Sequence, residues 1–268
     1  MPHGETWFSL LPFHPHALVM ARQLAEQFRE DGRSWYAHQI PGVQHIYGAL
    51  LTLSLIALCA VVTETSIKNA GADLLPHGKL TIRNFVELVV GTAYNMMSDM
   101  MGPKAARYFL PLIGTCAFFI LFSNAVGLTP GFEPATSNFN TTLALGIVIF
   151  ITTHIYGLKV NGFNHIKHFF GPIIGWKALP LMILMFVIES ISHCVRPISL
   201  AIRLMANMTA DHLVLTIFCG LLPASLFFIP VPLPMYLLGT IVVIVQTLVF
   251  CLLSTVYISM AIEPAEHH

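Results

Sequence analysis

Charge is scarce in this sequence. Only 10% of the 268 residues are Asp, Glu, Lys or Arg and 56% are hydrophobic, where soluble domains carry about 25% charged residues. A solvated surface cannot be built from that composition, so the chain reads as a polytopic, all-α membrane protein. Net charge is zero and the basic residues are scattered, which leaves no electrostatic footprint for nucleic acid. The five cysteines (Cys59, Cys116, Cys194, Cys219 and Cys251) form no CxxC pair and all fall in apolar stretches, so neither a zinc site nor a disulfide framework follows. No GxxxxGK(S/T) phosphate loop occurs, which removes nucleotide chemistry from this chain. Residues 1–45 begin without the basic and apolar regions of a signal peptide. Neither a repeat nor a low-complexity segment is evident.

What is present is a series of long apolar runs. The expected organisation is an N-terminal surface segment over residues 1–45, with a short helix over 17–29, followed by one transmembrane domain over 46–268. Residues 46–63, 110–128 and 141–158 are uncharged and each approaches the ~20 residues that cross a ~30 Å hydrocarbon core. Pro111 is expected in the first turn of the second span, where proline is tolerated. Between the first two spans, residues 64–107 mix five basic and four acidic residues, the pattern of an amphipathic helix at the membrane edge. Residues 213–262 then run fifty positions without a charge, broken by a proline-rich turn over 222–234. That predicts a hairpin of two long helices, 178–218 and 235–262, the first too long to stand upright and therefore steeply tilted. Five membrane helices result. The loops over 64–107 and 159–177 hold eight Lys or Arg against three in the N-terminal tail and none in 129–141, which predicts an N-terminus outside and a C-terminus in the cytoplasm.

The first hairpin helix breaks the apolar pattern. Glu189, Arg196 and Arg203 recur at a spacing of seven and share one helix face, with Ser192, His193, Ser199 and Asn207 on or beside it, and Asp211 and His212 follow. Ionisable groups at membrane depth are costly and mark ion or proton pathways. Arginine cannot escape the cost by losing its proton. The plain alternative is internal pairing of Arg196 and Arg203 with Glu189 and Asp211, but Asp211 stands eight residues from Arg203, outside the i,i+4 geometry. An acid from another chain is the expected partner of Arg203.

The run Arg203-Leu204-Met205-Ala206-Asn207-Met208-Thr209-Ala210-Asp211-His212, with Pro197-Ile198-Ser199-Leu200 before it and Gln246-Thr247-Leu248-Val249-Phe250 after it, resembles subunit a of the rotary F-type ATP synthases. So do Asn124, the link Pro134-Ala135-Thr136-Ser137-Asn138, and Tyr257-Ile258-Ser259-Met260. The resemblance covers roughly residues 80 to 262. It implies a non-catalytic, proton-translocating stator subunit of a bacterial inner membrane, partnered by a ring of c subunits, b-type peripheral stalk subunits and the other synthase subunits. In that family the arginine matching Arg203 separates two aqueous half-channels that serve the ring carboxylates. Glu189 matches an acid of the cytoplasmic access route, Ser199, Asn207 and Gln246 surround the arginine, and His212 matches an outer half-channel position. The position facing His212 in the last helix, an acid or histidine in many members, is Gly239 here. Asp211, Glu133 or water is then left to serve His212. His193, one turn after Glu189, is a further departure with the spacing to pair with it.

Other readings are weaker. A self-contained secondary transporter would use Arg203 to hold an anion. An intramembrane metalloenzyme would use His154, His165 and His168, but no third ligand falls at helical spacing. Asn124 is expected to make a helix-to-helix hydrogen bond. The resemblance implies no cofactor and no metal.

Overall fold

The chain is described here from a computed structural model that covers residues 15, 18, 19, 44–70, 81–129, 132, 134–162, 179–221 and 232–262. Five long helices follow one another: α1 Gln44–Ala70, α2 Ile82–Gly127, α3 Phe139–Asn161, α4 Leu179–Leu221 and α5 Pro232–Ile262, with a 3-10 turn, Ala135–Ser137, between α2 and α3. All five are long and apolar enough to cross a membrane, and no strand occurs among the described residues. The expected surface helix over 17–29 apart from residues 18 and 19, the proline-rich turn as far as residue 231, and the His165 and His168 loop lie outside the described residues; residues 232–234, expected in the turn, already belong to α5.

Hydropathy located the helices well but shortened them. α1 extends past the apolar run to Ala70, through the exposed i,i+4 pair Glu64–Lys68. Inside it, the Thr52 and Thr63 hydroxyls each donate to a carbonyl one turn back at 2.7 Å, which satisfies them without a partner helix. Leu50, Leu53, Leu58 and Val61 point outward, as a lipid-facing side requires.

Residues 82–127 form two helical segments, 82–101 and 103–127, that meet at a kink at Gly102, whose φ of 79 and ψ of 159 are not helical. The helix expected ahead of the second span is therefore present, and it runs directly into that span without a loop. That left-handed conformation suits glycine, and Pro103 opens the following segment, where the missing N–H costs nothing. The Met100 carbonyl beside the bend accepts the Ser259 hydroxyl of α5 at 3.1 Å. Pro111 therefore lies well inside the second segment instead of in its first turn. The apolar run begins only after Arg107, but Lys104, Ala105, Ala106 and Arg107 are good helix formers and start the helix earlier. Upstream, the charge of buried Arg83 is met by Glu87 one turn on, at 2.7 Å.

The link to α3 is pinned. Asn124, fully buried, accepts the Thr136 hydroxyl, and the Thr136 backbone N–H donates to Ser123 Oγ at 3.3 Å. Asn124 thus joins helix to link, where a helix-to-helix bond was expected. Thr81 caps α2, Asn138 caps α3 through the Asn140 N–H at 2.9 Å, and Gly162 ends α3 at φ 53.

Each of the last two helices packs more on another helix than the two pack on each other. α5 packs most extensively on α2, and α4 packs on α3, while α4 and α5 touch each other less. One core joins Met97, Phe109, Ile113 and Ala117 of α2 to Cys251 and Ile258 of α5. The other gathers Cys116, Ile120, Ile149, Leu200, Leu204 and Phe250 from α2, α3, α4 and α5. Gly146 lets α3 meet the backbone of α4, since a methyl group there would stand 2.8 Å from the Pro197 carbonyl oxygen. At 43 residues, α4 is about 65 Å long by helix rise, twice the hydrocarbon core, so tilt or bending is required.

Gly146→Ala is expected to lower the thermal midpoint of the detergent-solubilised protein through overpacking of about 1–3 kcal/mol. Gly114→Ala, where nothing lies within 4 Å of the new methyl, should leave the midpoint unchanged or raise it.

Candidate functional site: the arginine face of α4

The two sides of α4 differ. Leu200, Ala201, Leu204 and Met208 are buried in the core, while Ile202, Arg203, Ala206, Asn207 and Ala210 remain exposed on the other side. Arg203 therefore projects from the outside of the bundle, among apolar neighbours such as Ile198 and Ile202. Among the described residues no carboxylate lies within salt-bridge distance of it. The internal-pairing alternative also fails for Arg196, whose guanidinium lies over the Tyr257 ring, 5.4 Å from the centroid. Glu189 is engaged elsewhere: its Oε1 is 3.2 Å from His193 Nε2, one turn on. A fixed cation on an apolar, uncovered surface is unstable against lipid. It calls for a carboxylate or water brought by something outside this chain.

Beside Arg203 the surface is held by side-chain bonds. Asn207 Nδ2 donates to Gln246 Oε1 at 2.7 Å, linking α4 to α5, and Gln246 is itself buried. Ser199, one turn before Arg203, is half-buried on the same side. Asn207, one turn after Arg203, is thus joined to Gln246 of α5.

Two groups of ionisable side chains flank this centre. Toward the α2–α3 link, His212 Nε2 donates to the Phe132 carbonyl at 3.1 Å; a carbonyl only accepts, so the proton is on Nε2. Asp211 lies across Gly239: a methyl group built there would stand 2.9 Å from Asp211 Oδ2 and 2.6 Å from Leu128 Cδ2. The space that a side chain on α5 would fill is occupied by the carboxylate of α4. Glu133 is outside the described residues. Toward the other end of α4, Glu189 and His193 meet His154 of α3, whose ring stands edge-on to His193 with centroids 5.3 Å apart. By helix rise Asp211 and His212 lie about 12 to 14 Å from Arg203 along the axis, and His193 and Glu189 about 15 and 21 Å from it on the other side. His154 was singled out in the sequence only as a metal candidate; its spacing gave no sign of the contact, which depends on how α3 packs. Among the described residues no group of three His, Cys, Asp or Glu could hold a metal ion.

Comparison with known proteins decides the family. The sequence profile of the ATP synthase A chain family matches residues 46–259. The chain belongs to that family. It is 43% identical over 259 residues to ATP synthase subunit a of Sorangium cellulosum, covering 96% of this chain and 98% of that protein. It is 47% identical over 216 residues to the subunit a of Trichlorobacter lovleyi, with 81% and 83% covered. Against the subunit a of Geobacter sulfurreducens identity is 44% over 211 residues, with 79% and 86% covered. ATP synthesis, ion transport and a multi-pass membrane location follow for the ATP synthase A chain family member described here.

Because Asp211 and the Gly239 backbone share one space, Gly239→Ala should destabilise the protein by about 1–3 kcal/mol. Part of that loss should be recovered in the Gly239→Ala, Asp211→Ala pair, the rest being due to Leu128 Cδ2, which the new methyl meets at 2.6 Å. A double-mutant cycle of thermal unfolding reads the coupling, and simple additivity would contradict the contact.

Proposed function

We propose that the chain is the non-catalytic, proton-translocating stator subunit of a bacterial F-type ATP synthase. In this reading it offers two aqueous half-channels to the carboxylates of a rotating c-ring, and Arg203 separates them. The observation that carries the reading is the position of Arg203: a permanent cation on an uncovered apolar face, with no described carboxylate in reach. A passing ring carboxylate supplies the missing counter-charge. A nearby cation favours the ionised carboxyl, so the proton must leave before Arg203 and a new one must arrive after it. Each charge so moved is worth about 2.3 kcal/mol per 100 mV of membrane potential. A neutral residue there would let protonated carboxylates pass and waste the gradient.

The apolar stripe Ile241, Ile244, Val245, Leu248 and Leu252 of α5 is exposed, consistent with a ring that slides past without polar attachment. Glu189 and His193 belong to the route on one side, Asp211 and His212 to the other, and Ser199, Asn207 and Gln246 line the approach to Arg203. The bias of basic residues supports the first route opening to the cytoplasm, with the N-terminus outside and the C-terminus inside. Peripheral stalk subunits of the b type and the remaining synthase subunits complete the assembly in the inner membrane. A transporter holding an anion on Arg203 would need that arginine inside a cavity instead of on an outer face.

In the assembled complex, Arg203→Ala should abolish ATP-driven proton pumping in membrane vesicles, whereas Arg196→Ala, which loses a ring contact instead of the barrier, retains a substantial fraction. Pumping by Arg203→Ala at the unsubstituted rate would sink this mechanism.

A further inference from the structure

Of the ionisable groups outside the arginine face, the histidine of α3 has no role so far. We infer that His154 acts with His193 and Glu189 as a proton relay on the side of Arg203 remote from the α2–α3 link; this rests on the stator reading above. Three contacts carry it. His154 Nδ1 donates to the Phe150 carbonyl at 2.9 Å, and because a carbonyl only accepts, neutral His154 carries its proton on Nδ1 and presents Nε2 as the base. Its ring stands edge-on to His193 at 5.3 Å. His193 Nε2 in turn faces Glu189 Oε1 at 3.2 Å.

The surroundings suit a group that gains and loses a proton. His193 lies between opposite charges on its own helix, Glu189 one turn before and Arg196 one turn after. From α3 it meets His154. His193, His154 and Thr153 line one groove between the three helices together with Tyr257 of α5 and Arg196, which covers the Tyr257 ring. Glu189 and Arg196 thus place one negative and one positive charge within a turn of His193. The step moves a single proton: one N–H bond breaks as another forms, and no electrons are exchanged. The helix back-bond fixes which nitrogen of His154 receives it. Imidazoles suit the task because one ring nitrogen can hold a proton while the other accepts one.

The test uses the complete ATP synthase in proteoliposomes, with ATP-driven acidification followed from about pH 5.5 to 8.5. His154→Gln and His193→Gln should each slow proton flux about tenfold. They should also remove the limb of the pH profile near the imidazole pKa, and the double variant should be no slower than the slower single one. Added imidazole should restore part of the flux. Unchanged flux, or a uniform loss with the same profile and no response to imidazole, overturns the relay in favour of simple packing. Should either variant fail to assemble, a flat profile in the unsubstituted complex overturns it equally. Arg203→Ala in the same assay separates the two proposals. If that variant still pumps, the stator reading falls. If it is inactive while both histidine variants match the unsubstituted protein, only the relay falls.

Discussion

A guanidinium that cannot shed its proton, held on a face of α4 that the chain itself leaves uncovered, is the constraint on which the rest of this structure depends. Leu200, Leu204 and Met208 seat the opposite side of α4 in the core, and that seating turns Arg203 outward. A lysine at the same place would have an escape, since burial can neutralise an ammonium. Arginine has none, so its surroundings must supply either water or a carboxylate. In the stator reading the rotating partner supplies the carboxylate, and Arg203 acts as a boundary because it cannot become a carrier.

The other polar groups of α4 divide by contrast into local sets. Arg196 rests on Tyr257, Glu189 on His193, Asn207 on Gln246 and His212 on Phe132. Each uses a partner within a turn or on a neighbouring helix, so few polar groups compete for Arg203. Such pairing lowers the cost of polar atoms in an apolar bundle and ties α4 to α3, α5 and the link. In the stator reading a barrier residue needs that rigidity, because a mobile arginine would blur the point at which the ring carboxylate changes state.

Sequence reasoning reached these features unevenly, for physical reasons. Periodicity within one helix is readable, so the shared face of Glu189, Arg196 and Arg203, and the five apolar helices, were visible before any coordinates. Hydropathy averages over a window, however, and charges compatible with a helix look like its end. Lys104 and Arg107 concealed how early the second segment begins, while the break between the two segments falls at Gly102-Pro103, a breaker pair that a hydropathy window does not register. Contacts between helices were the least legible. That His154 would meet His193, or Arg196 the ring of Tyr257, depends on how the helices cross, and crossings follow from small residues such as Gly146 whose signal is the lack of a side chain.

Gly239 shows the same limit from the other direction. Read along α5 alone, it is a missing acid or histidine and a gap in the outer route. In three dimensions the gap is filled, because Asp211 of α4 reaches over the glycine and its carboxylate occupies the space a side chain would need. An acidic group thus stands at this level of the bundle although it is borne by the opposite helix. Two carboxylates there would repel, and a larger residue at Gly239 would displace the one that is present. The glycine and the aspartate therefore make sense as a single choice, and His212, one residue on and bonded to the link, is left beside an acid from its own helix. In the stator reading the outer half-channel thus keeps an acidic group at this level, carried by α4 instead of α5.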